Sequence, residues 1–224
     1  MATLLNIYNQ LSAAYGPLQW WPADSPFEVA IGAILTQNTN WKNVEQAIAN
    51  LRADNALTPD AIAALSRPHL ERLIRPSGFF RQKAERLHLL VAHLHTHHQG
   101  TIEQLLQQPL SVARAELLSL KGIGPETADS ILLYAGNHPS FVVDAYTKRL
   151  FERLGILQSG EGYDQIRTLF MESIAEDPEI YNEYHALIVE HCKRYCRKKP
   201  LCSDCPLRAR CTFPSQSPQE HKKP

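Results

Sequence analysis

The chain has 224 residues, 44% of them hydrophobic, which suits one large domain or two small lobes sharing a compact interior and excludes a chain that is as a whole a disordered tail. Its 23 lysines and arginines balance 23 aspartates and glutamates, so no global charge marks an acidic partner and any surface for a polyanion must be a local patch. No apolar run approaches the about 18 residues of a membrane span, and the start MATLLNIYNQL lacks the basic leader and apolar core of a signal peptide, so a cytoplasmic protein with no membrane partner is expected.

In chain order, apolar residues recur at helical spacing. Phe27, Ala30, Ile31, Ile34 and Leu35 form one stripe, and Val44, Ala47, Ile48 and Leu51 the next. Ala84, Leu87, Leu90, Val91 and Leu94 follow, then Ile166, Leu169, Phe170 and Ile174, then Tyr181, Tyr184, Ile188 and Val189. Turn signals at Thr58-Pro59, Pro76-Ser77-Gly78, Gly155, Gly160-Glu161-Gly162 and Asp177-Pro178 separate segments of helical length. No strand-like alternation lies between them, so the expected fold is all-α. The end, FPSQSPQEHKKP, reads as a polar tail.

The three tryptophans cluster as Trp20-Trp21-Pro22 and Trp41, the last following ILTQNTN. Large aromatics are most often core. Trp20 and Trp21 are adjacent, however, so one helix cannot bury both, and Pro22 ends a helix there. Flat apolar walls suit a base taken out of a duplex, and a cationic methylated purine would add a cation–π term of about 0.5 to 2 kcal/mol. Gln37, within the same stretch, reads by itself as a polar residue at a helix end.

Further on, SVARAELLSLKGIGPETADSILLYA is two helices joined by Leu120-Lys121-Gly122-Ile123-Gly124. Gly122 and Gly124 allow a sharp turn without a side-chain wall, and Pro125 fits the first position of the second helix. Free amides at that helix start, with Lys121 beside them, would attract a backbone phosphate; alternatively Ile123 simply plugs an ordinary connection. Glu126 reads as a surface carboxylate favoured by the helix dipole, or as a polar wall of a pocket. Asp144 closes the apolar run Phe141-Val142-Val143 before the helix AYTKRLFERLG, where an N-cap would contribute roughly 1 kcal/mol.

Cys196, Cys202, Cys205 and Cys211 stand in the pattern C-x5-C-x2-C-x5-C, a strong metal signal in a chain whose thiols stay reduced. Structural zinc and an iron-sulfur cluster both remain open from the spacing, and Cys192 is a fifth thiol nearby. Lys193, Arg194, Arg197, Lys198, Lys199, Arg208 and Arg210 surround this loop against Asp204 alone, a basic patch suited to salt-sensitive phosphate contact. His93, His95, His97 and His98 read as an exposed helix end and receive no metal.

The pattern LxGIGxxTA between amphipathic helices resembles the helix-hairpin-helix of the endonuclease III superfamily of DNA glycosylases. With WWP, LTQNT, the aromatic after it, GIGxETA and VVD, the stretch from 20 to about 155 is similar to the 3-methyladenine DNA glycosylase III branch. The resemblance implies that Asp144 is the catalytic carboxylate, that Trp20, Trp21, Pro22, Trp41 and Glu126 border the base pocket, and that Gln37 fills the hole left in the duplex. Lys121, Gly122, Ile123 and Gly124 would contact DNA. Strand-cutting members carry a lysine directly before the TA of the hairpin; Glu126 stands there, which implies a monofunctional enzyme. The resemblance also favours a 4Fe-4S cluster over zinc on the four cysteines, although the first gap is one residue shorter than usual.

Two helical lobes are expected: a six-helix lobe over 27–138 containing the hairpin, and a second lobe of 1–26 plus 139–211 with the cysteine loop, followed by a flexible tail at 212–224. The expected function is base excision from double-stranded DNA by a monomer, with alkylated purine as substrate. Removal of uracil, mismatched thymine or an oxidised pyrimidine, and a noncatalytic DNA-binding module, are the alternatives.

Overall fold

A computed structural model describes residues 2–18 and 21–213. Among them are twelve α-helices, two single 3-10 turns and no strand, the all-α architecture expected from the periodicity. No described helix is long and apolar enough to cross a membrane. The chain divides into two compact units, Trp21–Ser140 and Met1–Trp20 with Phe141–Pro224. Trp21 and Pro22 thereby belong to the unit that contains the hairpin.

That unit is built on α2 (Pro26–Thr36). The Ser25 hydroxyl accepts from the Glu28 amide at 3.1 Å, and Pro26 sits in the first turn, where a missing N–H costs nothing. Every residue from Phe27 to Leu35 is buried, Glu28 among them through its ion pair with Arg52, so α2 forms the centre of the unit. Against it pack α3 (Trp41–Ala53), α6 (Phe80–His97), α7 (Ile102–Leu106) and α9 (Pro125–Tyr134). Short helices α4 (Pro59–Ala64) and α5 (Arg67–Leu73) lie on α6, while α8 (Leu110–Ser119) packs on α9. The unit therefore holds eight helices rather than six. Pro59 and Pro68 each start a short helix of their own, which stripe counting passes over.

The other unit contains α1 (Ala2–Tyr15), α10 (Ala145–Arg153), α11 (Tyr163–Ser173) and α12 (Pro178–Arg194). Helix α12 packs on α1 and α10, and α11 packs on α1. Its core is aromatic: Phe141 stacks on Phe170 at 4.2 Å between centroids, and Phe151 meets Phe170 edge-on at 4.8 Å. Buried Tyr184 donates its hydroxyl to the Leu4 carbonyl at 2.8 Å, fastening α1 to α12. The expected tail starts too early, because Thr212 donates to the Arg153 carbonyl at 3.0 Å and the Phe213 ring lies 4.5 Å from the Arg153 guanidinium. Residues 214–224 lie outside the described residues.

Candidate active site

The hairpin turn depends on Gly122, whose φ of +87° lies in the left-handed region that side chains disfavour. A Cβ there would come within 2.2 Å of Arg86 Nε. Ile123 donates its amide to the Leu120 carbonyl at 3.0 Å and buries its side chain in the core, so its side chain plugs the turn. Gly124 opens α9 in extended backbone, with no side chain capping the helix. Behind the turn, Arg114 on α8 grips the fully buried Asp129 of α9 through two hydrogen bonds of 2.9 and 3.1 Å, and Ser140 donates to the same carboxylate at 2.5 Å.

Two residues expected at the DNA have partners within the unit. The Gln37 amide donates to the Gly122 carbonyl at 3.0 Å and to the Thr127 hydroxyl at 2.9 Å, while Arg86 donates to its carbonyl oxygen. In this arrangement the side chain braces the hairpin. Lys121 pairs with Glu85 of α6 at 2.6 Å, and its side chain is 78% exposed. Such a surface pair is weakened by solvent screening, so the ammonium can readily exchange to another anion.

Trp20 lies outside the described residues. Trp21 adopts φ +61°, rare for a bulky residue, and its neighbours hold it there. Tyr134, at the end of α9, stacks on it at 4.9 Å and 19°, and Trp41, at the start of α3, meets it edge-on at 5.1 Å. The indole also lies against α2, where a Cβ on Gly32 would approach it to 3.3 Å. Trp21 and Trp41 are thus brought together. Tyr134 completes the group, although nothing in its local sequence distinguishes it from a core tyrosine. Pro22 and Glu126 are exposed.

Asp144 caps α10 in the second unit. Its Oδ1 accepts from the Thr147 amide at 2.7 Å and the Thr147 hydroxyl at 2.9 Å. Its Oδ2 lies 3.6 Å from His185 Nε2, and the side chain is only 13% exposed. Burial by itself would raise the pKa of this carboxyl, but His185 and the Thr147 donors outweigh it and hold the group below its ordinary range. The cap and a shielded, ionised carboxylate are therefore one arrangement. His185, buried on α12, carried no sequence signal because its partner lies far along the chain.

Cys196, Cys202, Cys205 and Cys211 all line one cavity, whose other walls include Leu150, Leu154 and Leu207. All four thiols are free of disulfides. Arg153 donates to Cys196 Sγ at 3.3 Å and to the Arg197 carbonyl at 2.7 Å, and Arg149 donates to the Cys196 carbonyl at 2.8 Å. A hydrogen bond from Cys192 lowers the Cys196 pKa against the opposing effect of burial, and Arg153 assists. Cys192 itself is buried on α12, its Sγ 3.6 Å from the Tyr146 carbonyl, and it is not part of the cavity lining. Four cysteines lining one cavity with apolar walls fit a soft metal centre.

A helical body around a glycine hairpin, with no strand among the described residues, has the build of a DNA repair glycosylase. The chain belongs to the HhH-GPD superfamily of base excision DNA repair proteins, whose family model matches residues 31–176. It is 49% identical over 210 residues to a candidate DNA repair glycosylase of Methanocaldococcus jannaschii, covering 93% of this chain and 95% of that protein. Endonuclease III of Thermotoga maritima is 30% identical over 189 residues, covering 84% and 83%. Among solved structures, the 3-methyladenine DNA glycosylase of H. pylori bound to 1,N6-ethenoadenine superposes with a TM-score of 0.74 and 29% identity, covering 85% of this chain and 97% of that one.

Proposed function

We propose that this DNA glycosylase is monofunctional and hydrolyses the N-glycosidic bond of an extruded alkylated purine such as 3-methyladenine. The observation that carries the substrate class is the Trp21, Trp41 and Tyr134 group, in which one indole is held at left-handed φ by two aromatic neighbours. Electron-rich ring faces favour a cationic base over a neutral one. The likeness to the H. pylori 3-methyladenine enzyme supports the same class. Pro22, Glu126 and Trp20 complete the proposed pocket border.

Asp144 is the proposed catalytic carboxylate. Held ionised, it stabilises the positive charge that develops on the sugar as the bond to the base breaks, and it orients or deprotonates the attacking water. A methylated purine already carries positive charge and leaves without a strong general acid, so one carboxylate suffices. Glu126 stands where strand-cutting relatives place their lysine, which removes the amine that would form a Schiff base. Duplex DNA is gripped through the Gly122 and Gly124 backbone and the uncapped start of α9, with Lys121 adding charge. Gln37 contributes by holding the hairpin in place.

Cys196, Cys202, Cys205 and Cys211 would hold a 4Fe-4S cluster, which supplies a covalent cross-link within the loop. Around it Lys193, Arg194, Arg197, Lys198, Lys199, Arg208 and Arg210 are all exposed, and they form the proposed second phosphate-binding face of a monomeric enzyme.

The test is base release from methylated, deaminated and oxidised duplexes. Free 3-methyladenine is expected with no strand cut before alkali, and Asp144→Asn should lower the rate about 10²- to 10⁴-fold while duplex binding persists. Excision of neutral adenine at a comparable rate, or a borohydride-trapped covalent adduct, would overturn the assignment.

A further inference from the structure

The histidine run at the end of α6 does not behave as a uniformly solvated helix end. His95 and His97 are exposed, but the side chains of His93 and His98 are only 17% and 10% exposed and both turn onto Glu116 of α8, itself 19% exposed. His93 Nε2 lies 2.5 Å from Glu116 Oε1, and His98 Nε2 contacts the same oxygen. One ligand atom from each of the three residues falls within 4.8 Å of the other two. Gln108, in the α7–α8 connection, donates to Glu116 Oε2 at 2.6 Å and fixes the plane of the carboxylate.

We propose that His93, His98 and Glu116 bind a divalent zinc-class ion within the unit Trp21–Ser140. Two neutral imidazoles and a carboxylate are a common ligand set for such an ion, with water completing a tetrahedron. Metal–ligand bonds of about 2.0 to 2.2 Å place the donor atoms of a tetrahedron ~3.3 Å apart, a spacing these side chains reach by small rotations. Gln108 supplies the outer hydrogen bond that orients the carboxylate. The exposed His97 ring lies 4.6 Å from that of His93.

The ion would tie the end of α6 to α8, the first helix of the hairpin, and thereby stiffen the DNA-binding turn. This role is independent of the cysteine loop, which contributes no residue to the set.

The experiment uses the full-length protein, isolated and then titrated with zinc chloride after dialysis against a chelator, with zinc and iron measured per chain. Wild type should take one more zinc than His98→Gln and Glu116→Gln, and only wild type should gain melting temperature, by several degrees. Zinc X-ray absorption of the wild type is a second readout that does not depend on the folding of a variant, and a shell of nitrogen and oxygen with imidazole scattering is expected. Equal zinc content in wild type and variants, or a zinc shell of sulfur alone, overturns the proposal.

Discussion

Lys83 is a fully buried ammonium in a unit whose interior is otherwise mostly aliphatic. It survives there because Nζ donates to the Leu35 carbonyl at 2.8 Å, at the end of α2, and to the Ser77 carbonyl at 2.7 Å, in the turn before α6. Both acceptors would be orphaned by an apolar substitute. Burial, with a smaller contribution from Arg86, lowers the lysine pKa to about 8. Between that value and the ordinary 10.5 the unfolded chain binds more protons, so this residue makes stability rise with pH across that window. Lys83→Met should cost about 1 to 3 kcal/mol in denaturant unfolding near neutral pH, and a stabilised variant would show that the two carbonyls find other donors. Trp21 presents the converse case, a backbone conformation unfavourable by itself and maintained by Tyr134, Trp41 and the clearance at Gly32.

At the scale of elements, the helix-hairpin-helix is held from outside the motif. Gln37, at the end of α2, and Arg86, on α6, meet the turn at Gly122. The Arg114–Asp129 pair joins α8 and α9 in the buried interior, where breaking it would leave an unpaired charge. The turn is therefore held in place within the unit, and as the proposed phosphate contact it would lose little entropy on binding. Gly122→Ala meets both the positive φ and the Arg86 side chain. The strain of about 1 to 2 kcal/mol should weaken affinity for undamaged duplex by about 5- to 30-fold, measured by fluorescence anisotropy, with the helical circular dichroism unchanged. Wild-type affinity in that variant would mean that the turn is not a DNA contact.

Across the whole molecule, the chain closes one unit from its two ends: α1 packs on α12, and Gln10 donates to the Pro206 carbonyl at 2.7 Å, next to the cysteine loop. Arg210 donates back to Gln10 at 2.9 Å. The loop is thus tied to the N-terminal helix, and Arg149 and Arg153 tie it to α10, the helix that Asp144 caps. Loss of the proposed cluster would loosen all three. Cys202→Ser is expected to abolish visible absorbance and bound iron, to lower the melting temperature and to weaken duplex binding most at low salt, because the displayed charges disperse. Iron retained at the wild-type level would exclude Cys202 as a ligand.

The sequence by itself determined what depends on near neighbours. Helical periodicity located the α2, α3, α6, α11 and α12 stripes, Gly122 and Pro125 located the hairpin, and Asp144 was legible as a cap because its acceptor role spans three residues. The cysteine spacing announced a loop able to converge on one centre. The tertiary structure alone decided which distant residues meet: Gln37 with Gly122 across 85 positions, Tyr134 with Trp21, His185 with Asp144, Glu116 with His93 and His98, and Lys121 with Glu85. Hydrogen-bonded turns and apolar stripes repeat along the chain and leave a local trace. A side chain's long-range partner is set by how helices pack against one another, so a brace, a ligand and a solvated polar residue look alike until the fold brings the other atom within reach.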